Sequence, residues 1–136
     1  MIKLAIHVGM ALKSHGMMLA TAESCTGGGV ASAVTEIAGS SAWFDRGFVT
    51  YSNQAKVDML SVSNATLDSF GAVSEATVRE MVEGALRHSQ AQISLAVSGI
   101  AGPGGGTVEK PVGTVWFAWG CKQGECVVRL HYLAGD

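Results

Sequence analysis

Charged side chains are scarce in this sequence: they make up 15% of its 136 residues, against 48% apolar ones. A chain that apolar and that weakly charged is not intrinsically disordered. Nine basic and eleven acidic residues leave a net charge of −2, so no basic surface advertises nucleic acid as a partner. Long hydrophobic runs are missing too. Gly, Ser, Thr or His interrupts every apolar stretch well short of the ~18 residues of a membrane span, which argues against a membrane partner. The amino-terminal MIKLAIHVGMALKSHG carries no small-residue cleavage site and is broken by His7. It reads instead as an amphipathic helix with Leu4, Val8 and Leu12 on one stripe. Cysteine is sparse and odd in number. Cys25, Cys121 and Cys126 form no C-x-x-C pair, which points to free thiols in a reducing cytoplasm. A zinc site from Cys121, Cys126 and His131 is disfavoured, because on a strand over 125–133 the last two face opposite sides. No metal is expected.

Glycine is what the chain has in excess: 18 residues, nearly twice the usual ~7%. Eight of them fall in two clusters, Gly27 to Gly29 and Gly99, Gly102 and Gly104 to Gly106. Around them, segments of helical and strand character alternate. The run from Met17 to Ala22 reads as a buried strand, and Val30, Ala33, Val34 and Ile37 as a helix stopped by Gly39. Phe44 to Tyr51 is rich in strand formers, Asn53 caps a short helix through Leu60, and Ser74 caps a longer one. Val78, Met81, Val82 and Ala85 form the inner face of that longer helix. Ile93 to Ile100 suits a central strand, and 112–121 with 126–133 a hairpin around Lys122 to Glu125. The pattern predicts one α/β domain: a three-layer α/β/α sandwich on a mixed, mostly parallel sheet of about five strands.

Three constellations could carry chemistry. Ala22 to Gly29 hands a strand over to a helix, where free N–H groups favour an anion and glycines let a ligand approach the backbone. Ser24 there is either a nucleophile or, like Thr26, a helix cap. The flanking residues are not those of a G-x-S-x-G elbow. Ser98 to Gly106 follows the central strand, where α/β proteins place ligands, but lacks the Gly-Lys-Ser/Thr ending of a P-loop. It is a binding loop or a plain surface loop. Arg46 and Thr50 to Lys56 make the third. With Asn53 as cap, Lys56 sits in the first turn of a helix, where the macrodipole opposes its protonated form. It is either a lysine of lowered pKa or an exposed one. None of His7, His15, His88 and His131 is placed to serve a catalytic serine or cysteine, so a serine here would need lysine as its base.

The stretches TAESCTGG (Thr21–Gly28), IAGSSAWFDRGFVTYSN (Ile37–Asn53) with Lys56, GAVSE (Gly71–Glu75), SGIAGP (Ser98–Pro103) and KPVGT (Lys110–Thr114) resemble the CinA carboxy-terminal domain family. In its stand-alone form that family comprises nicotinamide-mononucleotide (NMN) amidohydrolases. The resemblance spans nearly the whole chain and implies a three-layer α/β/α fold. It implies deamidation of NMN to nicotinate mononucleotide and ammonia, in pyridine-nucleotide salvage. The family's nucleophile falls on Ser24, and its assisting tyrosine and lysine on Tyr51 and Lys56. No cofactor is implied, and family members are typically homo-oligomers.

In the mechanism this suggests, Lys56 takes the Ser24 proton directly or through Tyr51. N–H groups around Cys25, Thr26, Gly27 and Gly28 hold the oxyanion. The substrate phosphate is expected against Gly99, Ile100, Ala101 and Gly102, with Arg46 as its charge partner. Cys25 as nucleophile is the competing enzymatic reading. A non-catalytic nucleotide-binding or scaffold domain is the competing non-enzymatic one. It draws on a departure from the family pattern: the sequence stops at Leu133-Ala134-Gly135-Asp136, where the family continues through Gly-Asp-Arg into a further helix bearing another arginine, so residues 1–136 read as a single domain without its last helix.

Overall fold

The computed structural model describes residues 2–133 and begins with helix α1 (Ile2–Ser14), whose Leu12 is buried beside Leu19, Val34 and Trp43. Strand β1 (Leu19–Glu23) is buried at all five positions, and α2 (Gly29–Thr35) follows it. The chain then runs through β2 (Phe44–Val49), α3 (Asn53–Leu60), α4 (Asn64–Phe70) and α5 (Glu75–Arg87). It ends in β3 (Ile93–Gly99), β4 (Thr114–Cys121) and β5 (Cys126–Tyr132). Helix α4 has no counterpart in the sequence reading. The segment NATLDSF buries only Leu67, and a stripe that narrow gives no helical period to detect. The expected absence of a closing helix after Leu133 concerns residues outside those described.

The five strands lie in the order β2-β1-β3-β4-β5. β1 pairs parallel with both β2 and β3, while β3–β4 and β4–β5 are antiparallel. The sheet is mixed, with parallel and antiparallel pairings in equal number, because the returning loop after β3 and the hairpin after β4 each reverse the chain. Leaving β1, the chain first builds β2 on one side and later β3 on the other. Right-handed crossovers then place α2 and α5 on opposite faces, giving the three-layer sandwich. They also open a crevice at the carboxyl end of β1, the switch point where open α/β sheets bind ligands.

Alternation along the strands assigns the faces. Ala20, Ala22, Ala96 and Ala118 point at α5, whose Val78, Met81, Val82 and Ala85 are all buried as the periodicity predicts. Each such valine or methionine side chain contributes about 1.5–3 kcal/mol. Small residues on the sheet let α5 come close. Gly84 of α5 lies directly against the Leu60 carbonyl at the end of α3, where no Cβ would fit. This contact fixes α3, and therefore Lys56, over the same face. On the other face, Leu19, Ile93 and Leu95 with α1 and α2 line an apolar groove of about 900 Å3.

Candidate active site

The turn after β1 is held from both sides of the sheet. Neighbouring residues of a strand point to opposite faces, so Glu23 goes to the α2 side and Ser24 to the α5 side. The Glu23 carboxylate is fully buried. Its Oε1 accepts from Thr26 Oγ1 at 2.5 Å and Val30 N at 2.8 Å, and Oε2 accepts from Ala31 N at 2.9 Å. These bonds cap α2 from the preceding strand, because Gly28 at the cap position has no side chain to do so. Ser24 N donates to Val97 O at 3.0 Å, continuing the β1–β3 ladder by one residue. Glu23 lies in the segment that the sequence reading singled out, but sequence gave no sign of its role as a cap.

Lys56 reaches Ser24 directly. Its Nζ lies 2.9 Å from Ser24 Oγ, 2.8 Å from the Thr50 carbonyl and 3.3 Å from the Tyr51 carbonyl. Ser24 Oγ is also 3.4 Å from the Tyr51 carbonyl. Lys56 is 1% exposed, and no carboxylate pairs with it among the described residues. Burial pushes its pKa below the ordinary value, against a smaller opposing pull from the Cys25 thiolate. With two carbonyls taking two N–H bonds, a neutral amine turns its lone pair to the Ser24 hydroxyl. In its neutral form Lys56 therefore has the geometry of a base toward the Ser24 hydroxyl.

Several expected contributors sit differently. The cap of α3 is Ser52, whose Oγ accepts from Ala55 N, and not Asn53, so Lys56 stands one position deeper in the helix. Tyr51 is 72% exposed, and it is its main-chain carbonyl that touches both Ser24 and Lys56. A phenol relay is not needed at 2.9 Å. Arg46 is not brought to the site. It belongs to β2 four residues before Thr50, about 13 Å along the strand. Its Nε pairs with Asp45 at 2.8 Å, and its Nη1 donates to the His88 carbonyl at the far end of α5.

The glycine turn does come to Ser24. The Gly27 N–H is taken by the Ser24 carbonyl at 3.0 Å, whereas those of Cys25, Thr26 and Gly28 donate to no main-chain carbonyl among the described residues. Cys25 is half-buried against Gly99, the first residue of the expected binding loop, and burial pushes its thiol pKa up. A thiol raised in pKa is a poor nucleophile at neutral pH, which favours Ser24 over Cys25. Ile100 and Gly102 are partly buried and Ala101 exposed, beside the carboxyl ends of β1 and β3.

A sequence model described as the CinA C-terminal domain matches residues 1–136. The chain belongs to this family. It is 55% identical over 136 residues to nicotinamide-nucleotide amidohydrolase PncC of Escherichia coli K12, covering all of this chain and 82% of that protein. The Pseudomonas putida protein of the same name is 52% identical over 117 residues, 86% of this chain and 73% of its own. Among solved structures, the competence/damage inducible protein CihA from Agrobacterium tumefaciens superposes with a TM-score of 0.95 at 51% identity. That match covers 98% of this chain and 82% of the other. The CinA fold and the Ser24–Lys56 pair therefore rest on independent grounds, one on relatedness and one on geometry.

Proposed function

We propose that this CinA-family chain is an amidohydrolase that converts nicotinamide mononucleotide and water to nicotinate mononucleotide and ammonia. The Lys56 Nζ–Ser24 Oγ contact of 2.9 Å carries the reading, because it joins a nucleophile to a buried base that no carboxylate pairs with among the described residues. The names of the PncC relatives support the substrate.

Ser24 Oγ attacks the carboxamide carbon as its proton passes to Lys56. The resulting ammonium gives that proton to the amide nitrogen, the C–N bond breaks, and ammonia leaves. Water then attacks the nicotinoyl ester, with Lys56 again taking the proton, and Ser24 is regenerated. The N–H groups of Cys25 and Thr26, which donate to no main-chain carbonyl among the described residues, are available to the oxyanion. The loop Gly99 to Gly102 remains the place for the phosphate, supported by its position beside Ser24, without Arg46. The balance closes with water as the sole co-substrate. Three free thiols fit a reducing cytoplasm as its setting.

Incubating the purified chain with NMN and identifying nicotinate mononucleotide tests the reading. Ser24→Ala should abolish ammonia release while the unfolding transition stays in place. Turnover retained in that variant would end the serine mechanism.

A further inference from the structure

Among the described residues, three buried side-chain hydroxyls have no hydrogen-bond partner: those of Thr21, Ser94 and Ser98. Thr21 lies on the α2 face against Gly47, and Ser94 sits low in the sheet opposite Gly120. Ser98 is different in position. The β1–β3 register pairs Glu23 with Val97, so the next residues, Ser24 and Ser98, stand side by side, about 4.8 Å apart across the strands. Ser98 shares parity with Ala96 and so points to the α5 face, the face that carries Ser24 Oγ and Lys56. It is 1% exposed.

The strand order fixes which side each group occupies. Lys56 binds the Thr50 and Tyr51 carbonyls just past β2, so it flanks Ser24 on the β2 side. Ser98 flanks Ser24 on the β3 side, as does Cys25, which leans on Gly99. An amide attacked by Ser24 must turn its leaving nitrogen toward Lys56, which returns the proton. Its carbonyl oxygen then faces the β3 side. We infer that the Ser98 hydroxyl is a catalytic hydrogen-bond donor to that oxyanion, working with the Cys25 N–H; the inference rests on the amidohydrolase reading above. A buried hydroxyl without a partner is destabilising. Here the missing acceptor is the oxygen that bears charge only during the reaction, the arrangement in which a fixed donor accelerates chemistry most.

The test compares wild type, Ser98→Ala and Ser98→Thr by steady-state ammonia release from NMN, by the rate at which a fluorophosphonate labels Ser24 in the intact chain, and by thermal unfolding. The labelling needs no amide substrate but places a phosphonyl oxygen in the same donor site. Ser98→Ala should lower kcat by about 10²–10³-fold with KM within about threefold, and slow labelling comparably. Its midpoint of unfolding should hold or rise, since an unpaired hydroxyl is removed, and Ser98→Thr should recover most of the rate. Turnover and labelling both within about threefold of wild type in Ser98→Ala overturn the inference, as does an equal loss in the Thr variant with a lowered midpoint. If wild type labels but does not deamidate NMN, while Ser98→Ala labels slowly, the substrate reading fails and Ser98 stands. A wild type that neither labels nor turns over overturns both.

Discussion

Replacing Lys56 with methionine separates its chemical role from its structural one. Methionine matches the lysine stem in length and fills the same space beside Leu60 without an amine. Three contacts disappear, to Ser24 Oγ and the Thr50 and Tyr51 carbonyls. Leaving the Thr50 acceptor unpaired costs about 1–3 kcal/mol, whereas the Tyr51 carbonyl keeps the Ser24 hydroxyl as a donor. Against this, a desolvated amine with no counter-ion is removed, which offsets much of the loss. The net change at neutral pH should stay within about 2 kcal/mol, so the variant folds. Activity should not survive: loss of a positioned base lowers kcat by about 10²–10⁴-fold.

The pH dependence gives the sharper check. The folded pKa of Lys56 lies below its ordinary value and the unfolded one near it, at about 10.4. Between the two the unfolded chain binds more protons, so wild-type stability rises with pH there. The slope approaches about 1.4 kcal/mol per pH unit relative to the methionine variant. Below the folded pKa both states carry the proton and the difference is flat. Urea unfolding of both proteins from roughly pH 6 to pH 10, beside ammonia release, measures both effects. A stability difference independent of pH, or a variant retaining more than about a tenth of kcat, would refute the neutral-base assignment.

Glu23→Gln keeps one acceptor oxygen and turns an NH2 toward groups that donate. It should cost about 1–3 kcal/mol in urea unfolding. It should also lower kcat through the Ser24 turn while leaving the rising limb of kcat/KM where Lys56 sets it; a shifted limb would show that Glu23 acts on the lysine itself. Arg46→Ala should leave kcat and KM within about twofold and cost under ~1 kcal/mol, as expected for an exposed ion pair remote from Ser24. A large rise in KM would restore Arg46 as a phosphate ligand. Wild-type kcat/KM should climb with pH toward the folded pKa of Lys56, since the neutral amine is the active form, and a profile falling over that range would contradict it.

The fold was largely legible because each strand is a compact apolar run and α5 has a full amphipathic face. The strand limits 44–49, 93–99 and 114–121 depart from the sequence reading by only a few residues. What stayed hidden has identifiable causes. Ser52 and Asn53 are both good caps, and a one-residue choice between them moved Lys56 along its helix. Tyr51 contributes through its carbonyl, and a main-chain role leaves no mark on residue type. Arg46 sits in a segment that does reach the site, but only through Thr50 and Tyr51, and distance along β2 is invisible in a motif. Ser98 lay in the motif SGIAGP, yet its place beside Ser24 depends on a register across two strands far apart in sequence.

Burial lowers the pKa of Lys56, and the acid next to Ser24 does not reverse that because of where it points. Glu23 is the residue next to Ser24, and a carboxylate on the α5 face would hold Lys56 as an ammonium, with its pKa raised and its lone pair gone. Strand alternation sends Glu23 through to the other face, where three donors of the α2 turn consume both oxygens. The negative charge thus stabilises the turn that presents Ser24 without pairing with Lys56. Gly84, by letting α5 approach α3, then buries the lysine where solvent cannot restore its charge. The glycine-rich turn, the small residues under α5 and the lone acid of TAESC act on one variable: the protonation of Lys56 against Ser24.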